Sequence, residues 1–181
     1  MIDYQSAADQ IGVDVVAVKA IAEVESSGRG FQNGRPVIRL EAHWFGKLTG
    51  YLFNESHPHI SCRAWTPQLA ARNQGEAWVQ FEEAAALDEG AAIQSTSWGA
   101  FQIMGFHWRS LGYESPQAMR DAMATDAGQL DAFLRFVKAD VVLVDALKRH
   151  DWHTFAARYN GLGQVERYAG LMAEAYERHS R

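Results

Sequence analysis

Glu25 stands in a pattern that places a carboxyl group on an otherwise apolar helix face. In the stretch VKAIAEVE, Val18, Ile21 and Ala22 recur at i, i+3 and i+4, and Glu25 follows at i+7. Burial raises the pKa of a carboxyl group, and a group that stays protonated near neutral pH can donate a proton to a leaving group. The alternative is a structural ion pair with an arginine, and the spacing alone leaves both roles open.

Glu41 is a second candidate acid. Residues 36–45 alternate between apolar and polar side chains, which is the period of a strand, and Glu41 shares the polar side with Arg39 and His43. This polar face either borders a cleft, where Glu41 would act beside Glu25, or faces solvent.

The elements that must position these acids are mostly helices, so we predict an α+β fold that is mainly helical. The whole chain, residues 1–181, is expected to form one domain, with a strand at 36–45 and a partner strand at 51–53. Helices are predicted at 3–11, from Asp14 to Glu25, at 69–87 with a break at Gly75, from 91, from Ser115, from Asp126 with a stripe that extends to 144, from Asp151, and at 164–178.

Composition excludes several classes of protein. The net charge of −5 argues against a nucleic-acid-binding protein and against attraction to anionic membranes. Cys62 is the single cysteine, so no internal disulfide is possible, and we interpret it as an incidental thiol. His57 and His59 lack further ligand spacing, so no metal and no cofactor are expected.

The N-terminal residues 1–10 lack the apolar run of a signal peptide, and no apolar run is long enough to span a bilayer. We therefore expect synthesis in the cytoplasm and no stable insertion into a membrane.

Three short motifs occur in a fixed order: Glu25-Ser26, GAFQIM at 99–104 and ARYNG at 157–161. Together they resemble the lysozyme superfamily, in the branch of goose-type lysozymes and soluble lytic transglycosylases. A longer set of stretches resembles the N-acetylmuramidase family of bacteriophage and prophage endolysins. These stretches are AEVESSGRGF, RPVIRLEAHWF, SWGAFQIMG, GQLDAFLRFV and FAARYNG.

The resemblance implies a lysozyme-like fold with a small antiparallel sheet or hairpin beside the catalytic cleft. It implies a glycoside hydrolase that cleaves the β-1,4 bond between N-acetylmuramic acid and N-acetylglucosamine in peptidoglycan. Glu25 would be the catalytic acid, and Glu41 the second acid or an essential partner. An endolysin of this kind is expected to be a monomer, to leave the host cytoplasm through a holin-type pore, and to act on periplasmic glycan strands.

Several side chains then have candidate roles at the substrate, each with a structural alternative. Glu41 on a polar strand would stay ionised, and His43 would orient it or serve in packing. The amides of Gln102 and Asn160 suit sugar hydroxyl and N-acetyl groups, or they cap local backbone. The Tyr159 hydroxyl would either point toward Glu25 or lie in the core. Trp98 is a candidate for an apolar wall of the substrate site, whereas for Phe101 we favour the core. Ser26 is expected to form hydrogen bonds at the helix end rather than to act as a nucleophile.

Two other functions stay open. A lytic transglycosylase would cut the same bond with one acid and form an anhydro sugar, whereas Glu41 favours hydrolysis. Of the two stereochemical outcomes of hydrolysis, we expect inversion. A wall-binding module without activity is the third possibility, although both acids and all three motifs are present.

Overall fold

The computed structural model describes residues 2–181, most of which lie in ten α-helices. These are α1 (Tyr4–Ile11), α2 (Val15–Ser26), α3 (Ala42–Leu48), α4 (Gln74–Leu87), α5 (Glu89–Gln94), α6 (Pro116–Ala122), α7 (Asp126–Lys138), α8 (Val141–Lys148), α9 (Trp152–Tyr159) and α10 (Val165–His179). Among these residues, no helix is long and apolar enough to cross a membrane.

Two small antiparallel sheets complete the described chain. Strands β1 (Phe31–Gln32) and β2 (Arg35–Pro36) form a hairpin, and β3 (Ile38–Leu40), β4 (Thr96–Trp98) and β5 (Ile103–Met104) form a sheet in that spatial order. The register pairs Ile38 with Trp98 and Ser97 with Met104. The predicted α+β class, mainly helical with small antiparallel sheets, is confirmed.

Helix starts follow the predicted capping residues Asp14, Ser115 and Asp151, and Asp3, predicted as the first residue of its helix, is also a capping residue. The side chains of Asp3, Asp14, Ser115 and Asp151 each accept a hydrogen bond from a backbone N–H three residues further on. Two predicted spans were wrong at their ends. The helix predicted from Asp126 with an apolar stripe to 144 ends at Lys138, because Asp140 caps a separate helix. The helix predicted from residue 69 begins only at Gln74.

The predicted strand at 36–45 is correct only as far as Leu40. Glu41 is the N-cap residue of α3, and Ala42 and Phe45, three residues apart, bury the inner face of that helix. The partner strand predicted at 51–53 is also wrong, because these residues form turns and β3 pairs with β4 instead. Alternation over so few residues cannot separate a strand from a strand that runs into a helix.

Helix α2 is the most deeply buried of the elements near the N-terminus. It packs against α1 on one side and α10 on another. Its buried side chains are Ala17, Val18, Ala20, Ile21 and Ala22, which include the predicted inward face. Three alanines let the neighbouring helices approach closely, so the position of the helix end is fixed by packing on several sides.

The amide of Gln129 joins three segments inside the core. Its Oε1 accepts from the backbone N–H of Ala100 at 2.9 Å, and its Nε2 donates to the carbonyl groups of Gly30 and Met123 at 3.1 and 3.0 Å. Gly99 has a φ of +74°, and a Cβ atom there would lie 2.5 Å from Cδ of Gln129. The turn after β4 is therefore held to the loop after α2 by one buried side chain.

We expect Gln129→Leu to reduce the free energy of unfolding by about 3 kcal/mol, because it removes three buried hydrogen bonds to backbone groups, although the Gly30 carbonyl still accepts from the N–H of Val37. Urea unfolding followed by circular dichroism measures this loss. Gln5→Leu, which changes an exposed amide on α1, is the control and should alter stability by less than about 0.5 kcal/mol. Equal losses in the two variants would contradict the role assigned to Gln129.

Candidate active site

Glu25 lies in the last turn of α2. The helix ends at Ser26, and Ser27 and Gly28 follow with left-handed φ values of 57° and 71°. Ile21 and Ala22 on the preceding turn are fully buried, whereas Glu25 is partly exposed. The carboxyl group therefore sits on an apolar base at a point where the chain turns away.

The pKa of Glu25 is raised from its ordinary value of 4.5 to about 7. Burial is the main cause, since it disfavours the ionised form. A hydrogen bond from Nδ2 of Asn160 to Oε1, at 2.7 Å, and the positive charge of Arg39 act in the opposite direction. Near neutral pH the group is consequently close to half protonated.

Glu41 shares its surroundings with Arg39 and His43. The Nε atom of Arg39 lies 2.9 Å from Oε1 of Glu41, an ionic contact without the alignment of a hydrogen bond, and Nδ1 of His43 lies 3.7 Å from Oε2. Burial raises the pKa of Glu41, and Arg39 opposes the rise. Of the two alternatives for this polar face, a solvent-facing strand does not agree with the structure, because the Glu41 side chain is only 19% exposed and lies at a helix start.

Desolvation, together with the charges of Arg39 and Lys47, lowers the pKa of His43 below its ordinary value and favours the neutral imidazole at neutral pH. A neutral ring contacts Glu41 as a polar neighbour rather than as a cation. The structure therefore places His43 beside Glu41, where its predicted orienting role remains a prediction.

Both acids act electrostatically on Tyr168 of α10. Its pKa is raised by burial and by the charges of both Glu25 and Glu41, while Arg39 lowers it, so one phenol group senses all three. Both acids and Arg39 are therefore close enough to the Tyr168 phenol to act on it electrostatically. Sequence reasoning placed Tyr168 only on the inward face of a helix; no motif marks it as part of the site.

Three of the predicted site residues use their polar atoms within the scaffold. Oγ of Ser26 donates to the carbonyl of Ala100 at 2.8 Å. Nε2 of Gln102 donates to the carbonyl of Gly99 at 2.8 Å, and its Oε1 accepts from Oγ of Ser97 at 2.7 Å. Of the two roles predicted for Gln102, the structure therefore shows the structural one, in which its amide caps local backbone.

Tyr159 behaves in the same way. Its hydroxyl donates to the carbonyl of Phe101 at 2.6 Å, and burial, followed by the charge of Glu25, raises its pKa well above the ordinary value. The phenol is therefore neutral and close to Glu25, but its proton is committed to the turn that follows β4.

The prediction that Trp98 forms an apolar wall for the substrate was wrong. Its side chain is 1% exposed, its Nε1 donates to the carbonyl of Ile93, and its ring packs against Trp78 and Phe81. All three residues of β4 are buried, so no face of the strand reaches the groove. Phe101 lies in the core as expected, stacked on Phe133 with ring centroids 4.0 Å apart.

The histidine pair and the cysteine lie outside this site. His57 and His59 both approach Glu83, at 4.0 and 2.8 Å. Within residues 2–181, no group of three or more potential ligand side chains is arranged to hold a metal ion. Cys62 is a free thiol.

The raised pKa of Glu25 makes stability depend on pH. Below its unfolded pKa of 4.5 the group is protonated in both states, and as pH rises through about 7 the folded state must hold a buried charge. Glu25→Gln should therefore be more stable than the parent at pH 8, by at most about 3 kcal/mol, and nearly equal to it at pH 4.

Glu23→Gln is a matched control on the same helix. Its carboxylate pairs with Arg178 and His179, which lower its pKa, so this variant should lose stability at pH 8. Thermal unfolding at both pH values measures the difference, and a Glu25→Gln variant less stable than the parent at pH 8 would contradict the burial of this charge.

Known families and structures share this architecture. Residues 14–180 match the family model described as Muramidase, N-acetylmuramidase. The crystal structure of the Burkholderia AP3 phage endolysin is similar, with a TM-score of 0.82 and 40% sequence identity, over 99% of this chain and 69% of that chain. No curated protein sequence matches the chain. On the family match and this structural likeness, the chain belongs to the N-acetylmuramidase family.

Proposed function

We propose that Glu25 is the general acid with which this peptidoglycan hydrolase cleaves the β-1,4 bond between N-acetylmuramic acid and N-acetylglucosamine. The family match and the similarity to a phage endolysin support the reaction. The observation that carries the residue assignment is the pKa of about 7 for a carboxyl group that is partly exposed at a helix end. Such a group is protonated often enough to donate and acidic enough to give up its proton.

The reaction begins with transfer of the Glu25 proton to the glycosidic oxygen as the bond to the anomeric carbon breaks. Positive charge then develops on the muramic acid ring, and the carboxylate of Glu41 either stabilises it or activates the attacking water. Arg39, whose Nε lies 2.9 Å from Glu41, favours the ionised form needed for this role. Addition of water gives a reducing muramic acid end.

Asn160 has two roles in this proposal. Its Nδ2 donates to Glu25, which stabilises the carboxylate left after proton transfer. Its Oδ1 is buried and has no hydrogen-bond partner within residues 2–181, so the second role, accepting from the N–H of an acetamido group on the sugar, requires a local movement that exposes this atom.

The setting of the reaction follows from the similarity to endolysins. We infer that the protein is made in the host cytoplasm, passes through a holin-type pore, and acts as a monomer on the periplasmic wall. Glycan strands are the proposed partner.

Glu25→Gln should reduce clearing of purified peptidoglycan by at least about a hundredfold, since it removes the proton donor. Glu41→Gln should produce a loss of similar size with Glu25 intact. Zymography and turbidity assays measure both, with circular dichroism to confirm folding. Wild-type digests should contain reducing muramic acid ends by mass spectrometry; anhydro ends would instead indicate a transglycosylase.

Asn160→Ala should move the alkaline limb of the kcat/KM profile to higher pH. The lost hydrogen bond favoured the ionised form of Glu25, so the pKa of the acid rises and the protonated form persists further. Rates measured from pH 5 to 9 on soluble glycan fragments test this. A limb that stays in place, or moves to lower pH, would show that Asn160 does not act on Glu25.

A further inference from the structure

Five partly exposed rings form a continuous chain across the molecule from α3 to α9. Successive centroids are 4.7, 4.4, 4.9 and 5.3 Å apart. We call these residues the aromatic strip; in spatial order they are Trp44, Phe106, His107, Phe136 and Tyr159. Each of these residues is partly exposed, unlike the core rings of Trp98 and Phe101. Successive ring planes are inclined by 43°, 51°, 73° and 82°, so the strip presents both ring faces and ring edges.

Each end of the strip lies beside one of the two acids. The indole of Trp44 contacts the ring of His43, with centroids 5.9 Å apart, and His43 contacts Glu41. At the other end, Tyr159 precedes Asn160, which donates to Glu25, and the charge of Glu25 acts on the Tyr159 phenol. The strip therefore connects the two sides of the proposed catalytic groove.

The middle of the strip carries no charge near neutral pH. Burial lowers the pKa of His107, so its ring is mainly the neutral imidazole where Glu25 titrates. A neutral aromatic surface suits a pyranose ring, whose C–H groups carry partial positive charge and are attracted to the negative face of an aromatic ring. It also avoids placing a cation near the positive charge that develops on the sugar.

We propose that the aromatic strip is the apolar contact surface for sugar rings of the glycan strand. The proposal rests on the muramidase function above and names the residues that hold the strand between the acids. The ammonium group of Lys47, an exposed side chain, lies 4.6 Å from the Trp44 ring and leaves when a sugar stacks there. Sugar rings, and not peptide stems, are the occupant.

The test measures binding of glycan strands stripped of peptide stems to Glu25→Gln protein, which does not consume them. Isothermal titration calorimetry should show about tenfold weaker binding for Trp44→Leu and for Phe106→Leu. Trp44→Phe retains an aromatic face and should bind within about twofold of the parent. Trp78→Leu is the matched control: it removes a half-buried indole that contacts Phe81 and Trp98 but none of the strip, and should lower stability without weakening binding.

In protein with Glu25 intact, the strip variants should raise KM more than they lower kcat. Unchanged affinity in folded Trp44→Leu and Phe106→Leu variants would overturn the proposal, as would binding that requires peptide stems. Failure of the muramidase assignment itself is distinguishable, because it would appear as intact wall in digests by the parent enzyme whatever the binding assay shows.

Discussion

The site depends on one carboxyl group that is held at an apolar helix end with a single strong hydrogen bond. Desolvation alone would keep Glu25 protonated and make it a poor proton donor, whereas a direct ion pair would ionise it permanently. The amide of Asn160 lies between these limits, because it stabilises the carboxylate without bringing a full charge. Arg39 acts on Glu25 only through its field, since its ionic contact is with Glu41.

The position of this one positive charge distinguishes the surroundings of the two acids. Glu41 and Glu25 are both shifted upward by burial, yet only Glu41 has the guanidinium of Arg39 at 2.9 Å. Arg39 therefore opposes the upward pKa shift more directly at Glu41 than at Glu25, which is the direction that the proposed division into one proton donor and one carboxylate requires. Both acids and Arg39 act on Tyr168, so a change in any one charge is felt at a common neighbour.

Sequence predicts this site unevenly, and the reason is the range of the interactions involved. Helix α2, its cap at Asp14 and the place of Glu25 depend on neighbours within one or two turns, so periodicity and capping rules suffice. The pairing of β3 with β4 joins Arg39 to Ser97, 58 positions apart, and a three-residue strand carries no signal of its partner. Trp98 was misplaced for the same reason, since only the tertiary neighbours Trp78 and Phe81 reveal that β4 is buried on both faces.

The motif residues and the residues proposed to contact the substrate are largely different sets. The turn after β4 accepts hydrogen bonds from the side chains of Ser26, Gln102 and Tyr159. It also donates one to the side chain of Gln129. A turn fixed by four side chains keeps the end of α2 and the end of α9 at a constant separation, which the 2.7 Å contact between Glu25 and Asn160 demands. The proposed contact with the sugar then falls to the aromatic strip, of which only Tyr159 belongs to one of the three short motifs. Aromatic rings suit contact with a sugar because such contact requires accessible ring surface rather than one exact atom pair. Residues from separate elements, including α3, α7 and α9, can supply that surface together.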